Sequence, residues 1–166
     1  MVQDRLWRLV DELNAQLDEF LRLKDEIYAA QQQFGKHEPN IFELRALGSI
    51  LRDVYQNAGV ICIQIAKEVD QRSPIGSNWN GQLLDEMAKP VPRTRPAVLQ
   101  TETASLLDEY RRFRHLFRNI YGFRLSWIHM KPLLDNAATA VDIFAADIKQ
   151  FIAFLRLMSE KDEPPQ

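Results

Sequence analysis

The sequence LLDEYRRFRHLFRNIY spans residues 106–121 and shows the helical pattern from which the fold can be predicted. At about 100° per residue, four apolar residues of this segment fall within roughly 60° of one another: Leu106, Phe113, Phe117 and Ile120. Tyr110 and Leu116 lie at the edges of this apolar stripe. The pattern predicts an amphipathic helix from about Gln100 to Tyr121, ended by Gly122.

The opposite side of this predicted helix is basic. Four residues fall within an arc of about 100° on that side: Arg111, Arg114, His115 and Arg118. Tyr121 flanks the arc on one side, and Asn119 and Arg112 flank it on the other. Guanidinium groups bind phosphates by charge and by bidentate hydrogen bonds, and Tyr and His offer surfaces on which an unpaired base can stack. The arc therefore indicates an anion-binding wall.

The same periodicity extends over most of the chain, and no segment shows the strict two-residue alternation of a strand. Helices are predicted over residues 2–34, from Pro39 (with Asn40 as an alternative cap) to about Arg72, over 79–88, and from about His129 to Met158 with Pro132 in the first turn. Together with the helix at 100–121, they predict an all-α, up-down four-helix bundle with one short extra helix.

Length and composition are those of one globular domain. The chain has 166 residues, of which 46% are apolar and 27% charged, so one core over residues 1–158 is expected, followed by a polar tail at 159–166. The longest apolar runs have about five residues, far short of a membrane span, and no signal peptide is recognised at the start. We expect a cytoplasmic protein in which the single cysteine, Cys62, is buried.

The charge of the chain is unevenly distributed. Residues 110–124 hold five arginines and no acidic residue, although the whole chain has a net charge of −2. A basic segment in an acidic chain often pairs with its own protein or with an acidic partner. Acidic residues of the first helix that could neutralise the arginine wall are Asp4, Asp11, Glu12, Asp18, Glu19, Asp25 and Glu26.

Most motifs that carry catalysis are missing from the sequence. There is no glycine-rich phosphate loop, no cysteine pair for zinc, no Glu-x-x-His pair for a di-iron centre and no Gly-x-Ser-x-Gly elbow. No metal or other cofactor is therefore expected. What remains is the arginine-rich helix, where His115 in its neutral form can act as a general base.

The segment from Leu107 to Leu125 resembles the signature helix of HepT-like proteins, which belong to the HEPN superfamily of small all-helical ribonucleases and RNA-binding modules. The sequences RPAVL at 95–99 and KPL at 131–133 are also similar to that group. The resemblance implies a homodimer in which the two signature helices face each other. It also implies metal-independent RNA cleavage and a toxin role, with an MNT-type nucleotidyltransferase as the cognate antitoxin.

The family motif consists of Arg, four to six residues, His, any residue and Tyr. Here Tyr121 closes the motif, and in related toxins the antitoxin modifies this tyrosine. Asn119 stands at the position of the histidine, and Arg114 or Arg112 at that of the arginine. This departure matters because an asparagine cannot act as a general base at neutral pH.

The imidazole that the motif requires is present one helical turn earlier, at His115. The resemblance thus implies Arg114, His115 and Asn119 as catalytic residues, and it implies RNA or phosphate contacts by Arg111, Arg112, Arg118 and Tyr121. The replacement at Asn119 leaves a second function open. In that alternative, the chain is a non-catalytic HEPN-like module that binds a protein partner, RNA or a nucleotide through the same basic face.

Overall fold

The computed structural model describes residues 2–73, 76, 79–119 and 125–161. These residues form five helices: α1 (Val2–Phe34), α2 (Ile41–Glu68), α3 (Trp79–Met87), α4 (Thr101–Asn119) and α5 (Trp127–Lys161). Within the described ranges there is no strand, only a single bridge between Val91 and Arg95 in the connector that follows α3. The predicted all-α bundle with one short extra helix is confirmed.

Long helices that follow one another around the bundle run antiparallel. Their contacts show this, since residues later in one helix contact residues earlier in the other. Between α1 and α5, Phe20 packs edge-on against Phe144 with ring centroids 5.4 Å apart, and Gln31 donates to the carbonyl of Leu134 at 2.9 Å. Three further pairs that are consecutive among the long helices are antiparallel by the same test. The contacts are Arg5–Glu68 and Glu12–Gln64 for α1 and α2, Gly48–Phe117 and Tyr55–Arg114 for α2 and α4, and Gln100–Asp147 and Tyr110–Leu133 for α4 and α5. The bundle therefore has up-down topology.

The core lies between the four long helices, and its largest fully buried side chains include Tyr55, Tyr110, Phe20 and Phe144. In the described part of the chain, α1 packs against α2 and α5 and makes no contact with α4. The short helix α3 packs on α2 and α4. Part of the outer surface of the α2–α4 pair is thus covered by α3. None of the helices described combines the length and the apolar character needed to cross a membrane.

Cys62 of α2 is completely buried, as expected from its apolar neighbours. Burial raises the pKa of its thiol to about 12, because a thiolate loses its hydration in the core. The side chain therefore behaves as a small apolar group at neutral pH.

Several helix boundaries differ from those predicted. Asn40 is the N-cap of α2, and it forms a capping box with Glu43, whose backbone N–H donates to the Asn40 side chain at 3.0 Å. Pro39 therefore precedes α2, and the helix ends at Glu68 rather than near Arg72. α5 begins at Trp127, whose indole packs edge-on against the Phe34 ring, with ring centroids 5.9 Å apart.

Because α5 begins two residues before His129, Pro132 lies in the second turn of the helix and the predicted first-turn position is wrong. At its other end α5 continues to Lys161, into the segment predicted to be the tail. Ser159 is buried there, and its hydroxyl donates to the carbonyls of the preceding turn. The helix therefore extends three residues beyond the predicted end at Met158.

A buried ion pair fixes the connector between α3 and α4. The Arg95 guanidinium binds Asp70 through two bonds, with Nε 2.6 Å from Oδ1 and Nη2 2.8 Å from Oδ2. Its Nη1 donates to the carbonyls of Lys89 and Pro96 at 3.0 Å. Because the Arg95 side chain has no exposed surface, these bonds replace the water that it loses. The proline-spaced connector is thereby attached to the chain that follows α2.

Candidate functional site

The buried face of α4 is centred on Tyr110. Leu107, Tyr110 and Phe113 are buried, and the Tyr110 hydroxyl donates to the carbonyl of Leu133 on α5 at 2.7 Å. Leu116, predicted at the edge of the stripe, is instead 58% exposed. Ile120, predicted within the stripe, lies outside the described residues. The helix is thus rotated relative to the prediction, because the bonds and packing of Tyr110 place its ring in the core.

A glycine allows α2 and α4 to approach each other closely. A Cβ atom at Gly48 would lie 2.5 Å from Cε2 of Phe117, so no larger residue fits without movement of that ring. Phe117 stacks on Phe113 with ring centroids 5.8 Å apart, which limits its freedom to move. Close helix packing, one explanation for a glycine in a helix interior, applies here.

Next to this contact is an open groove of about 560 Å³, which we call the α2–α4 groove. It is lined by Arg52 and Gln56 from α2 and by Arg114, Phe117 and Arg118 from α4. Each helix contributes polar residues one turn apart, so the side chains project side by side. No carboxylate is among the lining residues. Three guanidinium groups around one groove favour an anionic ligand.

Arg114 is held in this groove by an aromatic ring. Its guanidinium carbon lies 5.6 Å from the centre of the Tyr55 ring, within the range of a cation–π interaction. The Tyr55 hydroxyl lies 3.3 Å from the carbonyl oxygen of Asn80 and 3.2 Å from its side-chain oxygen, at the start of α3. Burial raises the pKa of Tyr55, which keeps the hydroxyl protonated. The ring orients Arg114 without neutralising its charge.

Arg111 of the predicted wall and Arg112 beside it are paired with a carboxylate of α4 itself. Asp108 accepts from Arg111, with Oδ1 2.6 Å from Nε, and its Oδ2 lies 3.3 Å from Nε of Arg112. The acidic residues of α1 do not take this role, since α1 and α4 are not in contact in the described part of the chain. Among the described residues, no carboxylate pairs with Arg114 or Arg118.

His115 and Asn119 lie on the outer side of α4 and do not line the groove. The Asn119 amide nitrogen donates to the backbone carbonyl of His115 at 2.9 Å. It also lies 3.3 Å from Nε2 and 3.4 Å from Nδ1 of the imidazole. His115 precedes Arg118 by three residues, about 60° round the helix. The imidazole is therefore exposed next to the rim of the groove.

The structure brings some of the predicted site residues together and separates others. Arg114 and Arg118 share the groove, Arg111 and Arg112 share Asp108, and His115 contacts Asn119. Tyr121, predicted to bind RNA and to be modified, lies outside the described residues.

Sequence reasoning missed the two groove residues on α2. Arg52 and Gln56 occupy polar positions one turn apart, and the nearby Gly48 marks the face of α2 that approaches another helix. That glycine was the signal that could have identified this face in advance.

The comparisons with known proteins agree with this architecture. A family model described as "HepT-like protein" matches residues 46–155, which include most of α2, all of α3 and α4, and most of α5. Both walls of the α2–α4 groove lie within the matched residues. No curated protein and no solved structure matches the chain. Since the model covers well over half of the sequence, the chain belongs to the HepT-like family of the HEPN superfamily.

Proposed function

We propose that this protein is a metal-independent endoribonuclease and the toxin of a HEPN/MNT-type toxin–antitoxin pair. The observation that carries the proposal is the α2–α4 groove, where Arg114 and Arg118 face Arg52 and no carboxylate lines the surface. Such a groove attracts the phosphates of RNA and can stabilise the charge of a pentavalent transition state. Membership of the HepT-like family supports the same activity.

In the proposed reaction the 2′-hydroxyl of one nucleotide attacks the phosphorus of its own 3′-phosphodiester. His115 accepts the 2′-hydroxyl proton while the 2′-oxygen–phosphorus bond forms and the phosphorus–5′-oxygen bond breaks. The departing 5′-oxygen takes a proton from water, and the products carry a 2′,3′-cyclic phosphate and a 5′-hydroxyl. Arg114 and Arg118 stabilise the charge on the phosphate oxygens. Asn119 contacts the His115 imidazole and orients it.

A homodimer would place the outer surface of α4 against a second copy. Leu116 is 58% exposed on that surface, next to His115 and Asn119, which are also exposed. The two α4 helices would then face each other across the dimer, as the resemblance of the α4 motif implies. Arg111 and Arg112, whose Nε atoms face Asp108, would add phosphate contacts along the helix through their terminal amino groups.

The cognate partner in this proposal is an MNT-type nucleotidyltransferase antitoxin, and its target on this chain is Tyr121. An RNA substrate and such a partner place the protein in the cytoplasm. A nucleotidyl group added to Tyr121, three residues after Arg118 in the sequence, would bring bulk and negative charge to the basic segment.

One observation favours a second function. Asn119 stands where the family motif has a histidine, and its side chain bonds to the backbone of its own helix. If His115 does not replace that histidine, the chain is a non-catalytic module. The same basic groove would then bind RNA, a nucleotide or a protein partner without cleavage.

The deciding experiment is cleavage of labelled single-stranded RNA in EDTA by the wild type, Arg114→Ala and His115→Ala. Arg156→Ala, which removes one exposed arginine of α5, is the matched control. We expect cleavage with 2′,3′-cyclic phosphate ends by the wild type and the control, and its loss in both α4 variants. Far-UV circular dichroism establishes that each variant is folded.

Absence of cleavage by the folded wild type would contradict the nuclease proposal and favour the binding module. If Arg114→Ala fails to fold, Arg114→Lys takes its place, because a lysine keeps the charge and loses the bidentate geometry. Cleavage by a folded Arg114→Ala variant at the wild-type rate would show that the site assignment is wrong.

A further inference from the structure

The α2–α4 groove combines two kinds of chemistry. Arg52, Arg114 and Arg118 provide three cationic side chains, whereas Gln56 provides a neutral amide and Phe117 an aromatic ring. An amide both donates and accepts hydrogen bonds, and a ring offers an apolar face to a planar group. A site for phosphate alone would need only the cationic side chains. The groove is therefore suited to a ligand that carries a phosphate and a base.

Arg52 forms an ion pair with Asp53 on α2, which orients its guanidinium and offsets part of its charge. Its Nε and Nη2 both donate to Oδ1 of Asp53, at 3.1 and 3.0 Å, and Nη2 lies 3.5 Å from the Ser49 hydroxyl. The described contacts leave Nη1 available to a ligand. A guanidinium that is already oriented loses less entropy when it binds a phosphate.

Phe117 and Gln56 lie where a base would contact them. Phe117 is only partly buried, because one side packs over Gly48 and another stacks on Phe113 while the rest lines the groove. Gln56 is exposed, one helical turn after Arg52. A volume of about 560 Å³ lies within the usual range of small-ligand sites, which suits one nucleotide.

We propose that the groove binds one unpaired nucleotide of RNA, with Arg52 as a third phosphate ligand and Gln56 as the residue that selects the base. The inference rests on the proposed function and adds the contribution of α2 to it. A base in a duplex is stacked and paired, so it cannot enter a groove together with its own phosphate. Single strands should therefore enter the groove, and duplexes should not.

The test measures the affinity of the full chain for 2′-O-methyl RNA, which lacks the nucleophile and cannot be cleaved. The probes are fluorescent octamers of A, C or U, a duplex of mixed sequence, and inorganic phosphate as a competitor. The proteins are the wild type, Arg52→Gln, Gln56→Ala and the remote control Arg156→Gln. Each affinity is measured at several salt concentrations.

We expect the wild type to bind single strands at least tenfold more tightly than the duplex, and to bind the three octamers with different affinities. Arg52→Gln should weaken all three by a similar factor of about five to ten and lower the salt slope by about 0.7, one phosphate contact on a single strand. Gln56→Ala should keep the salt slope and reduce the differences between the bases. Inorganic phosphate should compete only weakly, since it lacks a base.

Any of three results would overturn the inference. Arg52→Gln could bind RNA as tightly as the wild type, the wild type could bind the three octamers equally, or Gln56→Ala could keep the differences in affinity between the bases. Equally strong binding of the duplex would do the same. If RNA cleavage that depends on Arg114 is observed together with any of these results, the proposed function stands and only the role of α2 is overturned. A wild type that neither binds these probes nor cleaves RNA would overturn both.

Discussion

The guanidinium carbon of Arg114 lies 5.6 Å from the centre of the Tyr55 ring, and Tyr55 has no exposed surface. An arginine that faces a groove is thus oriented by a core residue of the neighbouring helix. The Tyr55 hydroxyl also contacts Asn80, which connects this orientation to the position of α3.

Two substitutions at Tyr55 distinguish the contribution of its aromatic ring from that of its hydroxyl. Tyr55→Phe keeps the ring beneath Arg114, so RNA affinity should stay within about twofold of the wild type. Tyr55→Leu removes a cation–π interaction of about 1 kcal/mol, so Arg114 must be ordered when RNA binds and affinity should fall by up to about fivefold. Fluorescence anisotropy with labelled RNA measures both effects, and thermal unfolding shows whether each variant is folded. Equal affinities for the Phe and Leu variants would contradict the role of the ring.

Gly48 and Gly59 lie on the same helix and should respond to alanine in opposite ways. At Gly48 the new Cβ would lie 2.5 Å from Phe117, so Gly48→Ala should lower the free energy of unfolding by about 1–3 kcal/mol. At Gly59 the Cβ would lie 3.6 Å from Tyr55, an ordinary contact, and Gly59→Ala should gain up to about 1 kcal/mol of helix propensity. Urea unfolding measures both changes. Recovery of stability when Phe117→Leu is added to Gly48→Ala would identify the clash as the cause.

Because of the capping box of α2, the stability of the fold should decrease at acidic pH. The His37 imidazole, 3.0 Å away, lowers the pKa of the Glu43 carboxyl, and the Asn40 backbone N–H adds to the effect. Because this pKa is lower in the folded state, the unfolded chain binds the proton more readily as the pH falls below about 4.5. The stabilisation is present above that pH and is lost as the pH falls through the pKa of the folded state.

The melting temperature of the wild type should therefore decrease more between pH 5 and pH 3 than that of Glu43→Gln. Glu26→Gln, at an exposed position of α1, provides the control and should follow the wild type. Parallel curves for Glu43→Gln and the wild type would mean that the Glu43 carboxylate does not contribute.

A substitution at Asn119 can test whether His115 replaces the histidine that the family motif has at position 119. Its amide nitrogen lies 3.3 Å from Nε2 of His115, so a histidine at either position would project from the same outer surface of α4. If His115 is the general base, His115→Ala should abolish RNA cleavage, and adding Asn119→His should restore part of it. Asn119→Gln in the same background is the control for shape. A double variant that is folded but inactive would show that only position 115 serves.

Much of the fold follows from local sequence patterns. The spacing of apolar residues predicts each of the helices, and the N-cap of α2 is recognisable because Asn40 precedes Glu43 by three residues. The rotation of α4 about its axis is less predictable, because Tyr110 and Leu116 lie at the two edges of the apolar stripe and either edge can face the core. Tyr110 is the one that is buried, where its ring packs in the core and its hydroxyl donates to the carbonyl of Leu133 on α5.

The candidate site is harder to predict because it is assembled from distant parts of the chain. Arg52 and Gln56 meet Arg114 and Arg118 only through the antiparallel packing of α2 and α4, which no local pattern on α4 encodes. The neutralising carboxylate, Asp108, precedes the acid-free segment and lies one turn before the arginines that it binds. Charge counted along a segment therefore does not give the charge at a surface.

The burial of Cys62 has a practical consequence for measuring assembly. Because the pKa of this single cysteine is raised to about 12, its thiol stays unreactive in the native protein at neutral pH. A thiol introduced by Asp18→Cys, at an exposed position of a helix that does not touch α4 in the described chain, would be the only one to react with a maleimide dye. The native chain is thus ready for single-site labelling, and energy transfer between labelled copies would report their separation in solution.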